Sequence, residues 1–292
     1  MARLTRHFRN ALWLAIEHDV LNTAKAAAYS GMLALFPALV VFTALLARVP
    51  EGTTLVGEIR ASSEQFLPAD SMSLLQSAME TRRIHSTQLI LSAAGLSVFA
   101  GLGMMLSLMD GFRRAYRQSR DNWGFWQRRK RALLLVPIVL FPLALATLVL
   151  VFGRQFEVWM IDNAGHELQH VVLVFWRMVR WAIALVTSVS VLGALYHFGT
   201  KRKEHWAWVG PGALAATLLW FPATLLFGWY VTRIADYSMF YGSFGAGIAT
   251  LVWLYITTFS ALLGAELNGV LFRERQEQAS TFASPDPDDP GL

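Results

Sequence analysis

One short stretch of the chain has the spacing of a catalytic metal site. His166, Glu167 and His170 form the pattern His-Glu-x-x-His. On a helix the two histidines share a face and can bind zinc, with the glutamate as general base. Catalytic zinc also needs a third protein ligand and an open coordination position, for which Glu157 and Asp236 are the candidates. A zinc-dependent membrane hydrolase using His166 and His170 is therefore one alternative, but we assign no catalytic residue, no metal and no cofactor.

A second set of polar residues flanks long apolar segments of the chain. These residues are Lys25, Asp110, Glu266 and Asn268. Ionisable groups at membrane depth are costly and mark candidate functional sites. We predict that Glu266 pairs with Lys25, near Asp110 and Asn268, in an interfacial salt bridge that fixes the last apolar segment to the first. The alternative is a cytoplasmic gate or a clamp for a lipid headgroup.

Hydroxyl residues and prolines form a third set. The hydroxyl residues are Tyr29, Ser30, Tyr241, Ser243 and Tyr255. They either line a cavity or form hydrogen bonds between helices beside small residues. Prolines inside apolar segments remove backbone hydrogen bonds and favour kinks, and transporters use interrupted helices to expose backbone groups to substrate. These prolines are Pro37, Pro137, Pro142, Pro211 and Pro222.

The amino-acid composition indicates that these candidate residues belong to a membrane protein. Of the 292 residues, 55% are apolar and 15% are charged, and there is no cysteine. Soluble domains carry about 25% charged residues. An ordinary soluble enzyme, a disordered chain and a disulfide-rich secreted domain are therefore excluded.

The apolar residues fall in blocks of the length that crosses a bilayer. About 20 apolar residues in a helix span the hydrocarbon core, and backbone groups in lipid must bond within their own helix. We therefore predict an all-α polytopic membrane protein with six transmembrane helices. The predicted spans are 26–47, 89–109, 132–153, 171–198, 207–232 and 244–272.

The basic residues set the predicted orientation. With both termini in the cytoplasm, the inside segments hold 17 of the 25 Lys and Arg residues, as the positive-inside rule requires. Eight basic residues lie between Arg113 and Arg131, where they would meet anionic lipid headgroups. We predict membrane lipids, and no nucleic acid, as partners of this basic loop.

Three segments are predicted to lie outside the bilayer. Residues 1–25 alternate basic residues with an apolar face at Leu4, Phe8, Leu12 and Ile16. This pattern is typical of an amphipathic helix on the inner leaflet, and a helix packed against the bundle is the alternative. The loop 48–88 is predicted to form a short helical extracytoplasmic cap. The tail 273–292 is predicted to be disordered because of its prolines and aspartates.

Sequence in the first and last spans resembles the YihY/BrkB family of bacterial inner-membrane proteins. The resemblance covers roughly residues 26–268. It rests on Ala26-Ala27-Ala28-Tyr29-Ser30, Leu35-Phe36-Pro37, Tyr241-Gly242-Ser243-Phe244-Gly245-Ala246, Trp253-Leu254-Tyr255 and Gly264-Ala265-Glu266-Leu267-Asn268. It implies a six-helix bundle in the bacterial inner membrane, with envelope-lipid transport among the proposed roles.

The chain departs from the family pattern at two polar positions. Ala34 stands where the family often has serine, and Asp110 stands where it often has asparagine. The family was once labelled ribonuclease BN. Phosphodiester chemistry usually needs clustered carboxylates or histidines in water, and the predicted cytoplasmic segments contain no such cluster. We therefore do not predict an enzyme.

The predicted function is the binding or transport of an envelope lipid or another amphipathic molecule. A membrane scaffold or partner subunit without transport is the second hypothesis. Substrate, direction, coupling ion and oligomeric state, including a homo-oligomer, are left open by the sequence.

Overall fold

The computed structural model describes residues 2–46, 87–118, 124–142, 169–200, 206–233 and 245–283. These residues form seven helices and, within these ranges, no strand. The helices are α1 (Ala2–Glu17), α2 (Val20–Leu46), α3 (Thr87–Ala115), α4 (125–142), α5 (Gln169–Gly199), α6 (Trp206–Arg233) and α7 (Gly245–Ala283).

Five of the helices are long and apolar enough to cross a membrane: α2, α3, α5, α6 and α7. The predicted all-helical membrane fold is therefore confirmed. The predicted span 132–153 begins in α4 and continues past residue 142, where the described range ends, so the count of six spans stays a prediction. Residues 48–86 of the predicted cap lie outside the described residues, and Thr87 and Gln88 begin α3.

Two helices extend beyond the predicted spans. Helix α2 begins at Val20, six residues before the predicted span 26–47. The last helix continues to Ala283, so the predicted disordered tail is helical over 273–283. The extension is rich in Arg, Glu and Gln, which favour helix, and it has tertiary contacts: His7 Nδ1 lies 3.1 Å from Glu274 Oε1.

The turn between α1 and α2 is built by Asp19. This residue has a φ of 57°, a conformation that Asp tolerates better than most residues. Its carbonyl accepts hydrogen bonds from the Thr23 N–H (3.1 Å) and hydroxyl (2.9 Å), and its Oδ1 accepts one from Asn22 (2.7 Å). The turn joins the two helices without a loop and holds His18 beside α7.

Helix α1 uses different faces for the bundle and for its surroundings. It packs against α7 with Ala11 and Ala15 buried, while Phe8, Trp13 and Ile16 remain exposed. The two alternatives considered for this segment thus describe two faces of one helix. The exposed apolar face is the one predicted to meet the inner leaflet.

Helix α7 is the centre of the bundle and packs against α1, α2, α3 and α6. Its closest approach is to α6, where Gly212 faces Gly264. A Cβ added to Gly212 would lie 2.2 Å from the Gly264 carbonyl oxygen. Small residues of this kind let membrane helices approach closely.

Burial is concentrated at one end of the bundle, which we call the charged end. Here α2, α4 and α6 begin, α3 and α5 end, and α7 passes through residues 258–270. Phe112 and Tyr196 meet edge to face with centroids 5.2 Å apart, and Tyr196 donates a hydrogen bond to the Ala261 carbonyl at 2.6 Å. Toward the far end, 87–99 of α3 and 174–190 of α5 contain no buried residue.

Candidate functional site

Glu266 is the most deeply buried ionisable residue that the sequence singled out. Its side chain is 0% exposed, and its Oε1 lies 2.8 Å from His18 Nδ1. Among the described residues, its Oε2 has no hydrogen-bond partner. An unmet buried polar atom costs about 1–3 kcal/mol, and more when it is charged, so this carboxylate is retained at a clear energetic cost.

Two arginines lie close enough to act electrostatically on this carboxylate. Arg117 and Arg273 both act favourably on the charge of Glu266. Arg117 has a φ of 45° and ends α3, where Gln118 donates its N–H to the Arg113 carbonyl at 3.0 Å. Arg273 Nη1 is buried and has no hydrogen-bond partner within the described part of the chain. We call Glu266, His18, Arg117 and Arg273 the carboxylate cluster.

The predicted pairing of Glu266 with Lys25 was wrong. The register of α2 that buries Ala24, Ala27 and Ala28 turns Lys25 to the exposed side. Its Nζ donates a hydrogen bond to Asn22 Oδ1 at 3.2 Å. The glutamate is paired with His18 instead because the turn at Asp19 brings the preceding residue against α7.

Asp110 also contacts partners other than Glu266. It forms an ion pair with Arg128 of α4 and lies 3.7 Å from Arg113 of its own helix. Arg114, one turn further along α3, donates a hydrogen bond to the Thr23 hydroxyl of α2 at 2.5 Å. The basic segment that the sequence presents as a topology signal therefore also ties α3 to its neighbours at the charged end.

Asn268 joins α7 to the beginning of α6. Pro211 interrupts the backbone ladder of α6, and the amide of Asn268 supplies both kinds of hydrogen bond beside it. Its Oδ1 accepts from the Gly212 N–H at 2.7 Å, and its Nδ2 donates to the Val209 carbonyl at 3.0 Å. Both polar atoms of the side chain are therefore used in closing the contact between these two helices.

We expect Asn268→Ala to lower the free energy of unfolding in detergent by about 1–3 kcal/mol for each group left unpaired. Asn22→Ala, at an exposed position, should change it by about 0.5 kcal/mol or less. Thermal or denaturant unfolding followed by tryptophan emission measures both variants. Equal effects would contradict the role given to Asn268.

The candidate residues with hydroxyl groups differ in burial and in the helices that they contact. Tyr29 is 60% exposed, and Ser30 lies in the contact between α2 and α3, near Gly103. Tyr255 is partly buried and stacks on Phe259 with centroids 6.2 Å apart. Pro37 lies inside α2. Tyr241, Ser243, His166 and the side chain of His170 lie outside what the structure describes.

The beginning of α4 carries an exposed aromatic and basic surface. Phe125 and Trp126 are 62% and 71% exposed and meet edge to face at 5.6 Å. Arg129 lies over the Phe125 ring at 3.5 Å. Aromatic and basic residues together are typical of the boundary between lipid headgroups and hydrocarbon.

Sequence reasoning missed His18, Arg117 and Arg273 as parts of the site. Each lies in a segment interpreted as an interfacial helix, a topology signal or a tail. Arg273 follows Glu266 by seven residues, two helical turns, and this spacing could have identified it. For His18 the separation of 248 residues from Glu266 along the chain hides the relation.

Comparisons with known proteins agree with this architecture. A family model described as Virulence factor BrkB matches residues 15–289. The ribonuclease-like protein YfkH of Bacillus subtilis is 28% identical over 260 residues, covering 89% of this chain and 92% of that protein. A UPF0761 membrane protein of Chromohalobacter salexigens is 25% identical over 276 residues, covering 94% of this chain and 65% of that protein.

A further UPF0761 membrane protein, VP0125 of Vibrio parahaemolyticus, is 24% identical over 262 residues. The aligned region covers 88% of this chain and 79% of that protein. No solved structure matches the chain.

Proposed function

Because the chain belongs to the BrkB virulence-factor family, whose model spans residues 15–289, and is an integral membrane protein, we propose that it binds and moves an envelope lipid or another amphipathic molecule. We place it in the bacterial inner membrane with both termini in the cytoplasm. The charged end then faces the cytoplasm.

This proposal rests on the unequal packing of the two ends of the bundle. The charged end is closed by Phe112, Tyr196 and Leu262, which are fully buried. Toward the far end, the described half-helices of α3 and α5 contain no buried residue. The far end keeps only a small buried cluster of α6 and α7, formed by Phe227, Val231 and Ala249. A bundle with a large core at one end and a smaller one at the other fits one conformation of a protein that opens alternately to the two sides of a membrane.

The proposed path lies between α2, α6 and α7. These helices carry Pro37 and Pro222 within their spans, where interrupted backbone ladders leave carbonyl groups free. Glu266 lies at the closed end of this path, and Tyr241 and Ser243 are proposed to line it. The amphipathic class of substrate follows from a path that borders lipid along its length and ends at charged residues.

Reconstituted protein in vesicles that contain a fluorescent phospholipid tests this function. We expect faster appearance of the label on the opposite leaflet than in protein-free vesicles. Glu266→Gln should slow it, and Glu274→Gln, at a glutamate whose side chain is 41% exposed, should not. Unchanged leaflet exchange across phospholipid classes, together with a stable co-purifying partner, would favour the scaffold hypothesis instead.

The orientation is tested by cysteine labelling, for which the cysteine-free chain needs no further substitution. We expect Gln127→Cys, at an exposed position of α4, to react with an impermeant thiol reagent only from the cytoplasmic side. Glu51→Cys, in the predicted outside loop, should react only from the periplasmic side. The reverse pattern would overturn the assigned topology.

A further inference from the structure

We propose that a proton is the coupling ion of the movement described above, and that the Glu266–His18 pair is the site that binds it. This inference rests on the proposed function, because coupling requires something to be moved. It concerns the chemistry of the carboxylate cluster and does not depend on which amphipathic molecule is carried.

The two carboxylate oxygens of Glu266 have different surroundings. Oε1 is held by His18 Nδ1 at 2.8 Å, whereas Oε2 is enclosed and has no hydrogen-bond partner among the described residues. Burial disfavours the charged form of such a carboxylate, and a proton on the unpaired oxygen removes that charge. The oxygen that is free is therefore the one that a proton would occupy.

The cluster favours a proton over a metal cation. Sodium, magnesium and calcium ions need several oxygen ligands, and one of the two carboxylate oxygens here is already occupied by the His18 nitrogen. Arg117 and Arg273 add positive charge around the carboxylate. The positive charge of both guanidinium groups opposes a proton and a metal cation alike, so the number of oxygen ligands decides between them. A proton neutralises the carboxylate and needs only one oxygen.

Protonation of Glu266 would change its interactions with the charged groups on the neighbouring helices. From α1 and its turn come Glu17, which acts on Arg273, and His18. At the end of α3, Arg117 faces the cluster, while Arg114 is bonded to Thr23 of α2. Lys25 of α2 is exposed. Helix α6 carries one charged residue, Arg233, at its opposite end, and α7 itself adds Arg273 and Glu277.

The proton step involves one bond. A proton from water adds to Oε2 of Glu266 and converts the carboxylate to a neutral carboxylic acid. The attraction of that residue for His18, Arg117 and Arg273 then weakens, so α1 and the end of α3 are held less firmly against α7. Breaking the same O–H bond returns the proton to water and restores the closed end. Proton binding is thereby linked to opening of the charged end.

Infrared difference spectroscopy of the full chain in nanodiscs tests the binding site directly. On acidification we expect a protonated carboxyl band that is lost in Glu266→Gln and retained in Glu274→Gln. A band that persists in Glu266→Gln would overturn the site. His18→Gln, which keeps the carboxylate, should shift the band along the pH axis, and an unchanged position would count against the pair.

The coupling is tested separately in vesicles with an imposed pH gradient and a fluorescent phospholipid. We expect the gradient to accelerate leaflet exchange, and a protonophore or His18→Gln to remove that acceleration. A rate of leaflet exchange that is the same with and without the gradient would overturn the coupling and leave the proposed function intact. A Glu266-dependent carboxyl band without any exchange would support the proton site and contradict the proposed function.

Discussion

Glu266→Ala is expected to lower the free energy of unfolding by about 3–5 kcal/mol, the usual cost of removing one partner of a buried charged pair. The substitution leaves a cavity beside His18 and removes the negative charge that Arg117 and Arg273 face. Glu266→Gln keeps an acceptor for His18 and should be milder. The measurement is denaturant unfolding in detergent, followed by tryptophan emission.

Glu274→Ala is the matched control for that experiment. This glutamate also pairs with a histidine of α1, His7, at 3.1 Å, but its side chain is 41% exposed. Exposed ion pairs contribute about 0–1 kcal/mol. If the two alanine variants were equally stable, the buried pair could not be what holds α1 against α7.

Gly212→Ala is expected to destabilise the protein by about 1–3 kcal/mol through overpacking. The added Cβ would lie 2.2 Å from a backbone oxygen of α7 and 2.4 Å from Cγ of Asn268. Neither atom is the end of a flexible side chain, so the two helices must separate. The midpoint of thermal unfolding in detergent reports the effect.

Gly228→Ala makes the same chemical change in the same helix without this obstacle. A Cβ at Gly228 meets nothing within 4 Å, and alanine favours helix over glycine by about 1 kcal/mol. We therefore expect the two variants to move the midpoint in opposite directions. A Gly212→Ala protein as stable as the wild type would refute the close α6–α7 contact.

The spanning helices were predictable because lipid imposes one simple rule on the chain. A charge-free block of about 20 residues can satisfy its backbone only as a helix, so α2, α3, α5, α6 and α7 follow from the positions of charges. Helix ends were less predictable. The extension of α7 past residue 272 combines helix-favouring Arg, Glu and Gln residues, which the local sequence contains, with contacts to α1, such as His7 with Glu274, which it does not.

The partners of the candidate residues were the least predictable feature. Lys25 has the opposite charge to Glu266 and a similar predicted depth, but it lies one position away from the buried face of α2. His18 reaches Glu266 only because Asp19 adopts a left-handed conformation that joins α1 directly to α2. A single backbone angle therefore decides which side chain neighbours the carboxylate, and sequence spacing does not report it.

Asn268 was predictable as a candidate residue, but its hydrogen-bond partners were not. Its position near the end of the last predicted span marked it as a candidate, but its hydrogen bonds go to Val209 and Gly212. Pro211 of α6 interrupts the backbone hydrogen bonding of the helix. Its presence indicates that a polar side chain is required nearby. Which residue meets that need depends on the register between α6 and α7, set by Gly212 and Gly264.

We propose that the interior is sealed at the charged end and reachable from the far end. Trp253 and Ser260 lie two turns apart on one face of α7; Trp253 is partly buried beside Phe227 and Val231, and Ser260 is buried. In the cysteine-free chain, we expect Trp253→Cys to react with an impermeant thiol reagent added at the far side, and Ser260→Cys to react from neither side. Labelling of Ser260→Cys from the charged-end side, or no labelling of Trp253→Cys, would contradict the account.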